Sequence, residues 1–186
     1  YIMQGKTENV PVAIAGVFLI GIAIGLTNGL IITKLRVNPF IATLGTGLII
    51  KGIINASFSN YTGSVPQAFE YFGYGMIGPI PVSIIILMLI VIMGWFILTR
   101  TKFGAHLYGV GGNSEVARLS GVRTDRVLIG AHILCSVTAV LSGMFLVSLM
   151  RSGAPWVGPN GFYDLNSIAV TVIGGTALSG GKGGVW

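Results

Sequence analysis

Long apolar runs constrain the fold of this chain more than any other feature of its sequence. Residues 9–33 contain no charged side chain, and comparable runs lie at Phe40–Asn55, Ile80–Leu98 and Val127–Met150. A helix needs about 20 apolar residues to cross the hydrocarbon core of a bilayer. Charged residues make up only 9% of the chain, against about 25% in soluble domains. The sequence therefore predicts an integral membrane protein.

These runs predict an all-α fold, a polytopic helical bundle of about four to five spans in one transmembrane domain over residues 1–186. We place the spans at about residues 10–32, 39–55, 80–98 and 127–150. A further apolar stretch of 14 residues, Leu165–Leu178, is interrupted by Gly174 and Gly175. That length is short for a simple span, and transport proteins place such segments beside their pathways. We therefore expect a re-entrant or broken glycine-rich segment at 165–186.

The basic residues are confined to particular loops, although the net charge of +6 could by itself suggest nucleic acid. Loop 33–38 has two basic residues and loop 99–126 has five, whereas loop 52–78 has none and is rich in aromatic residues. Loops rich in lysine and arginine stay in the cytoplasm, and aromatic residues favour the membrane interface. The pattern therefore indicates topology and no nucleic acid partner. It predicts that 99–126 is cytoplasmic, and that 52–78 lies outside with its aromatic residues in an interfacial belt.

Small and polar residues mark one face of the first predicted span. Gly21, Gly25 and Gly29 recur every four residues, and this spacing favours close packing of a second helix. Thr27 and Asn28 lie beside the stripe. Polar groups inside a membrane need partners or water, so these two residues either join helices or line a pathway.

We select a small set of polar residues as candidates for a solute pathway. The set is Thr27, Asn28, Thr43, Thr46, Asp164 and Asn166. Lys51 could also mark an ion path, but a lysine near a helix end usually extends to the interface.

A short helix is predicted inside the cytoplasmic stretch 108–126. Asn113 or Ser114 can cap its N-terminus, because a side-chain oxygen accepts an otherwise unpaired amide of the first turn. Glu115 then complements the helix dipole. Gly121 can end the helix in the left-handed conformation, which costs other residues energy. The capped helix has about two turns and needs something to pack against.

The apolar face of this helix is predicted from residue spacing. Val116 and Leu119 are three positions apart and share a face, with Ala117 and Arg118 turned away from it. The helix either packs on its own protein or contacts a partner.

No constellation in the sequence supports covalent chemistry. The stretch GTALSGGK resembles a phosphate-binding loop, but its first glycine and its Ser or Thr after the lysine are absent. His132 and Cys135 do not make a metal site. Ion-coupled transporters need buried ionisable residues, and only Lys51 and His132 are candidates. We therefore expect no enzyme, and if the protein drives uphill transport, its energy must come from another subunit.

Three stretches in order resemble permease subunits of bacterial sugar-type ABC importers, the ribose and simple-sugar group. They are YGVGGNSEVARLSGVRTDR at 108–126, NGLIITKLRVNPFIATLGTGLIIKGI at 28–53, and LNSIAVTVIGGTALSGGKGGVW at 165–186. The resemblance implies a paired permease in the bacterial inner membrane. It also implies two cytoplasmic ATPase domains that bind ATP and magnesium, an external solute-binding protein, and no cofactor in this chain.

The resemblance also identifies residues 113–121 as a coupling helix that contacts the ATPase. The implied contact residues are Gly112, Asn113, Glu115, Ala117, Arg118 and Gly121. One departure is Asn166, where the family commonly has a second carboxylate. The family's upstream motif and final spans are missing, so we interpret the chain as an internal fragment.

Three other functions stay open at this level. A branched-chain amino acid permease is the alternative within the superfamily. A passive channel or an ion-coupled secondary transporter would belong to a different class.

Overall fold

The computed structural model describes residues 6–58, 60, 62–155, 157 and 161–185. Long helices dominate this part of the chain, which confirms the predicted fold class. The helices are α1 (Val10–Lys34), α2 (Pro39–Ser57), α3 (Gln67–Tyr74), α4 (Val82–Arg100), α5 (Lys102–Gly112), α6 (Ser114–Leu119), α7 (Thr124–Met150) and α8 (Tyr163–Ile173). A 3-10 turn, Thr7–Asn9, precedes α1.

Four helices of the described residues are long and apolar enough to cross a membrane. They are α1 together with its preceding turn, α2, α4 and α7. Their surfaces expose many large apolar side chains, above all on α2 and α4. Such surfaces suit contact with lipid, so the chain is a multi-pass membrane protein.

Local signals explain where several helices begin. The Asn38 side chain accepts a hydrogen bond from the Phe40 amide at 2.9 Å, and Pro39 occupies the first helical position, where no amide is needed. The third long helix starts at Val82, two residues later than expected. Ile80–Pro81 instead pairs with Met76–Ile77 in a two-stranded antiparallel hairpin.

The glycine stripe of α1 packs against α7, which confirms its predicted role. A Cβ built on Gly25 would lie 2.7 Å from the carbonyl oxygen of His132 and 2.8 Å from Cα of Ile133. A Cβ on Gly29 would lie 2.8 Å from Cα of Ile129. Backbone atoms cannot move aside as a flexible side chain can, so only glycine allows these two helices to approach so closely.

The aromatic loop packs on the protein rather than forming only an interfacial belt. Phe69 of α3 is buried, and the Ser148 hydroxyl of α7 donates to its carbonyl oxygen at 2.8 Å. Tyr74 donates from its hydroxyl to the Leu149 carbonyl at 3.0 Å. Phe69 therefore does not belong to the predicted belt, whereas Tyr71 and Tyr74 are 52% and 57% exposed, and for them the belt stays a prediction.

Ion pairs join loops at each end of the bundle. Lys34 at the end of α1 contacts Asp125 at the start of α7 at 3.4 Å. At the opposite end, Arg151 contacts Glu70 at 3.2 Å. The two basic loops, 33–38 and 99–126, therefore lie at one end of the molecule, and the loop free of basic residues lies at the other.

Candidate functional site

Helix α5 leads into the predicted loop helix and was missed by sequence reasoning. The Thr101 hydroxyl accepts a hydrogen bond from the Gly104 amide at 3.2 Å and caps the helix. Four of the residues from Gly104 to Gly112 are glycine, and glycine disfavours helix interiors. Thr101 is an N-cap signal visible in the sequence, but the high glycine content after it argued against a helix.

Helix α6 begins and ends at the predicted residues. The Asn113 side-chain oxygen accepts hydrogen bonds from the amides of Glu115 and Val116, at 3.0 and 3.1 Å. Gly121 has a φ of +83°, and its amide donates to the Arg118 carbonyl at 3.0 Å. Glu115 and Arg118 also pair across one turn at 2.7 Å. The predicted cap and the left-handed end are confirmed.

The predicted division of α6 into two faces is confirmed, and the structure decides which face packs on the protein. Ala117 is only 8% exposed and packs with Val110 of α5 and Val127 of α7. Val116 and Leu119 are 57% and 79% exposed. Residue spacing shows which residues share a face, but the face that is buried depends on the space between α5 and α7. That space accepts the small alanine side chain.

The exposed surface at α6 therefore differs in part from the expected contact set. Gly112, Asn113, Glu115, Arg118 and Gly121 are exposed and remain available to a partner. Ala117 is not available, so its expected contact with an ATPase is corrected to support of α6 from beneath.

Val116 and Leu119 were not among the expected contact residues, although the sequence placed them together on one apolar face that needs something to pack against. We call the exposed residues Asn113, Glu115, Val116, Arg118 and Leu119 the α6 surface.

A cavity of about 410 Å³ adjoins the end of α6. Its lining includes His106, Ser120, Arg123 and Arg126. This cavity places positive charge next to the α6 surface.

Two of the pathway candidates meet between α1 and α2. The Thr46 hydroxyl donates to the Asn28 side-chain oxygen at 2.7 Å, and Asn28 is only 9% exposed. A buried amide of this kind needs a partner. The pair therefore joins the two helices, which was one of the two roles considered for Asn28.

Thr27 and Thr43 do not join this pair. The Thr27 hydroxyl donates to the Ala23 carbonyl at 2.8 Å, and the Thr43 hydroxyl donates to the Pro39 carbonyl at 2.9 Å. Both bonds stay within one helix, as is common for hydroxyl side chains in helices.

Asp164 forms an ion pair with Lys51 that sequence reasoning did not predict. The distance from Nζ to Oδ2 is 2.9 Å, and the contact joins α8 to α2. The hydrogen bond from Lys51, followed by the Leu165 backbone amide, holds the pKa of the Asp164 carboxyl below its usual value. Lys51 thus has a carboxylate partner at the helix end where it was expected to extend to the interface.

Asn166 lies on a different face of α8 from Asp164. Two helical positions correspond to a rotation of about 200°, and Asn166 is exposed. The structure therefore separates these two candidates.

The last segment is a short helix followed by irregular backbone, as the prediction of a broken segment requires. Helix α8 has 11 residues, and Gly175 continues the chain with a φ of +89°. The chain then reaches α5, where the Tyr108 hydroxyl donates to the Gly183 carbonyl at 2.8 Å. Two glycines of GTALSGGK, Gly180 and Gly181, lie against the backbone of Gly111 and Gly112.

The described residues include no group of three or more His, Cys, Asp or Glu side chains placed to hold a metal ion.

Comparison with known proteins places these features in a family. The sequence model of the family described as "Branched-chain amino acid transport system / permease component" matches residues 1–183. No solved structure shows a significant match to the chain.

Curated relatives are permeases of sugar import systems. The ribose import permease protein RbsC of Escherichia coli strain K12 is 37% identical over 96% of this chain and 57% of its own length. RbsC of Bacillus subtilis strain 168 is 38% identical over 84% of this chain and 49% of its own. The galactose/methyl galactoside import permease protein MglC of Haemophilus influenzae is 35% identical over 95% of this chain and 54% of its own length. The chain thus spans about half the length of these relatives.

Proposed function

The chain belongs to the branched-chain amino acid transport system permease family, and we propose that it works as the membrane subunit of an ATP-driven sugar importer. In this function it moves a small polar solute, a monosaccharide, across the bacterial inner membrane by alternating access. The chain itself is a transport subunit and not an enzyme. ATP and magnesium are bound by a separate ATPase subunit.

The exposed apolar pair on α6 is the observation that carries the proposal. Val116 and Leu119 are presented to solvent on a helix of six residues that is too short to be stable alone. The Asn113 cap and the buried Ala117 hold this helix in place. An apolar pair held rigidly at the protein surface is suited to fill a groove in a partner.

The side of the membrane supports an ATPase as this partner. Loops 33–38 and 99–126 contain seven of the eleven basic residues, which favours a cytoplasmic location. A nucleotide-hydrolysing subunit needs the cytoplasmic supply of ATP. The α6 surface is therefore the coupling contact, and Arg123 and Arg126 beside it favour an acidic patch on the ATPase.

Sugar is favoured over a branched-chain amino acid as the solute. The family description names branched-chain amino acids, but the relatives described above are ribose and galactose permeases. We therefore propose a small sugar, delivered from outside by a solute-binding protein.

The remaining partners follow from the fold. Helices α2 and α4 expose apolar side chains over much of their surface. We propose that part of this surface contacts lipid and part contacts a second permease subunit, since alternating access requires a pathway enclosed between helices.

Purification and uptake test this function. A tagged permease is isolated from its own host in mild detergent, and the co-eluting proteins are assayed for ATP hydrolysis. We expect an ATPase in the eluate. Proteoliposomes containing this complex and its binding protein should then accumulate ribose or galactose only with ATP.

The rival functions give different results in the same experiment. A passive channel or an ion-coupled transporter would purify without an ATPase, and its uptake would not depend on ATP. Leucine uptake without sugar uptake would favour the amino acid permease.

A further inference from the structure

Two glycine-rich segments that are distant in sequence cross beside α6 with backbone against backbone. A Cβ built on Gly111 would lie 2.6 Å from the Gly181 amide nitrogen, and a Cβ on Gly181 would lie 2.6 Å from Cα of Gly112. Gly180 and Gly181 have φ values of +85° and +74°. We call this contact the glycine crossing. Neither segment can carry a side chain here without moving the other.

Hydrogen bonds hold the crossing in register. Tyr108 donates from its hydroxyl to the Gly183 carbonyl at 2.8 Å. The Ala177 amide donates to the Lys182 carbonyl at 3.0 Å, which closes the glycine-rich segment on itself. The crossing therefore joins two ordered pieces of chain.

The two sides of the crossing lead to the two candidate sites. On one side, Gly112 is followed directly by Asn113, the cap of α6. On the other side, the chain runs back through Gly175 to α8, whose Asp164 pairs with Lys51. The glycine crossing, the covalent chain through α8 and one ion pair therefore connect the α6 surface to α2.

We propose that the glycine crossing transmits movement of α6 to α8, and thereby couples ATP hydrolysis to opening and closing of the Lys51–Asp164 contact. Gly111 and Gly181 are positioning residues for this coupling, and Tyr108 keeps them in register. Closely packed backbones cannot pass through one another, so a shift of one segment must displace the other. The proposal rests on the function proposed above.

The test compares two glycines of the same helix. Gly111→Ala adds a methyl group inside the crossing, whereas Gly109→Ala adds it where nothing lies within 4 Å. The permease is reconstituted with its ATPase and binding protein, and sugar uptake and ATP hydrolysis are measured together. We expect Gly111→Ala to retain hydrolysis and to transport about tenfold less sugar per ATP, within the range of known coupling energies. Gly109→Ala should match the wild type.

A second variant tests the crossing even if Gly111→Ala fails to fold. Tyr108→Phe adds no volume and removes only the hydrogen bond to Gly183. It should also lower the amount of sugar transported per ATP, but by a smaller factor than Gly111→Ala. In addition, a cysteine at Asn166 in a Cys135→Ser background should change its labelling rate when ATP binds, and Gly111→Ala should remove that change.

The outcomes separate the crossing from the proposed function. If a well-folded Gly111→Ala and Tyr108→Phe both transport as much sugar per ATP as the wild type, the crossing is not the link. The function would still stand if Leu119→Glu abolished coupling in the same preparation. If the wild-type complex contains no ATPase, the proposed function itself fails.

Discussion

At the scale of single residues, α6 separates two roles that look alike in the sequence. Ala117 and Leu119 are both apolar and lie two positions apart, yet Ala117 is 8% exposed and Leu119 is 79% exposed. The first supports the helix from beneath, and the second is exposed at the surface of the helix. A substitution of Ala117 should therefore lower stability, whereas a substitution of Leu119 should weaken assembly and leave stability unchanged.

Ala117→Leu should destabilise the protein. The larger side chain must enter the contact with Val110 and Val127, and overpacking of this kind costs about 1–3 kcal/mol. The thermal midpoint in detergent should fall. Ala105→Leu, on the exposed surface of α5, is the control and should leave it unchanged. Equal midpoints for both variants would mean that α6 does not pack as described.

Leu119→Glu should leave stability unchanged and weaken binding of the ATPase. Loss of an interface hot spot costs about 2 kcal/mol or more, which corresponds to roughly thirtyfold in affinity. Binding to the purified ATPase is measured in detergent. The matched control is Leu35→Glu, because Leu35 is 69% exposed in the other basic loop. Normal affinity of the Leu119 variant would remove α6 from the interface.

At the scale of elements, the contact between α1 and α7 depends on glycine for a steric reason. Gly21, Gly25 and Gly29 all lie against α7, and their nearest neighbours include backbone atoms. Without a hydrophobic driving force between helices in lipid, close packing of this kind supplies the association energy. The pathway candidates Asn28 and Thr46 then add α2 to the same pair of helices.

Gly25→Leu should separate α1 from α7 and lower thermal stability. Its Cβ would collide with the backbone of His132 and Ile133, and the cost is about 1–3 kcal/mol from overpacking. The control is Gly16→Leu, because Gly16 lies on the same helix with nothing within 4 Å. It makes the same change in helix propensity and side-chain volume without a collision. An unchanged melting temperature for Gly25→Leu would show that the stripe faces lipid.

At the scale of the whole molecule, charge is divided between the two ends of the bundle. Lys34 and Asp125 pair at the end that carries the basic loops, and Lys51 and Asp164 pair at the other. These contacts join elements that are distant in sequence, so they report on the fold as a whole. The end with the basic loops is the one expected in the cytoplasm.

Cysteine labelling tests this orientation. In a Cys135→Ser background, a cysteine at Ser64 should react with an impermeant thiol reagent applied outside intact cells, and a cysteine at Ser114 should not. Both positions are exposed in the structure, so accessibility to the reagent depends on the side of the membrane. Reaction at Ser114 would reverse the topology and remove α6 from contact with a cytoplasmic ATPase.

Exchange of the charges in the Lys51–Asp164 pair tests its role in transport. Asp164→Lys alone should reduce uptake, because it sets two positive charges together, and Lys51→Asp combined with it should restore much of the activity. Since both side chains are partly exposed, we expect little change in stability. If the double variant is as inactive as the single one, each side chain is needed at its own position and the ion pair itself is not what supports transport.

The pH dependence of this contact has a definite sign. Because the pKa of Asp164 is lowered in the folded protein, the carboxylate is charged at neutral pH. The contribution of the pair is complete above the ordinary pKa of an aspartate and is lost as the pH falls through the lowered value. Uptake across neutral pH should therefore not change on account of this group.

The sequence alone determined the membrane class of this protein, the long helices and both ends of α6. Hydropathy, the Asn113 cap and the positive φ of Gly121 act over a few neighbouring residues, so they are visible without a fold. Tertiary structure decided which face of α6 is buried. It also decided that Lys51 pairs with Asp164, which is 113 residues away, and that Gly111 meets Gly181. Each of these depends on how close two distant helices or segments come. That distance is set by packing of the whole bundle, which no local pattern encodes.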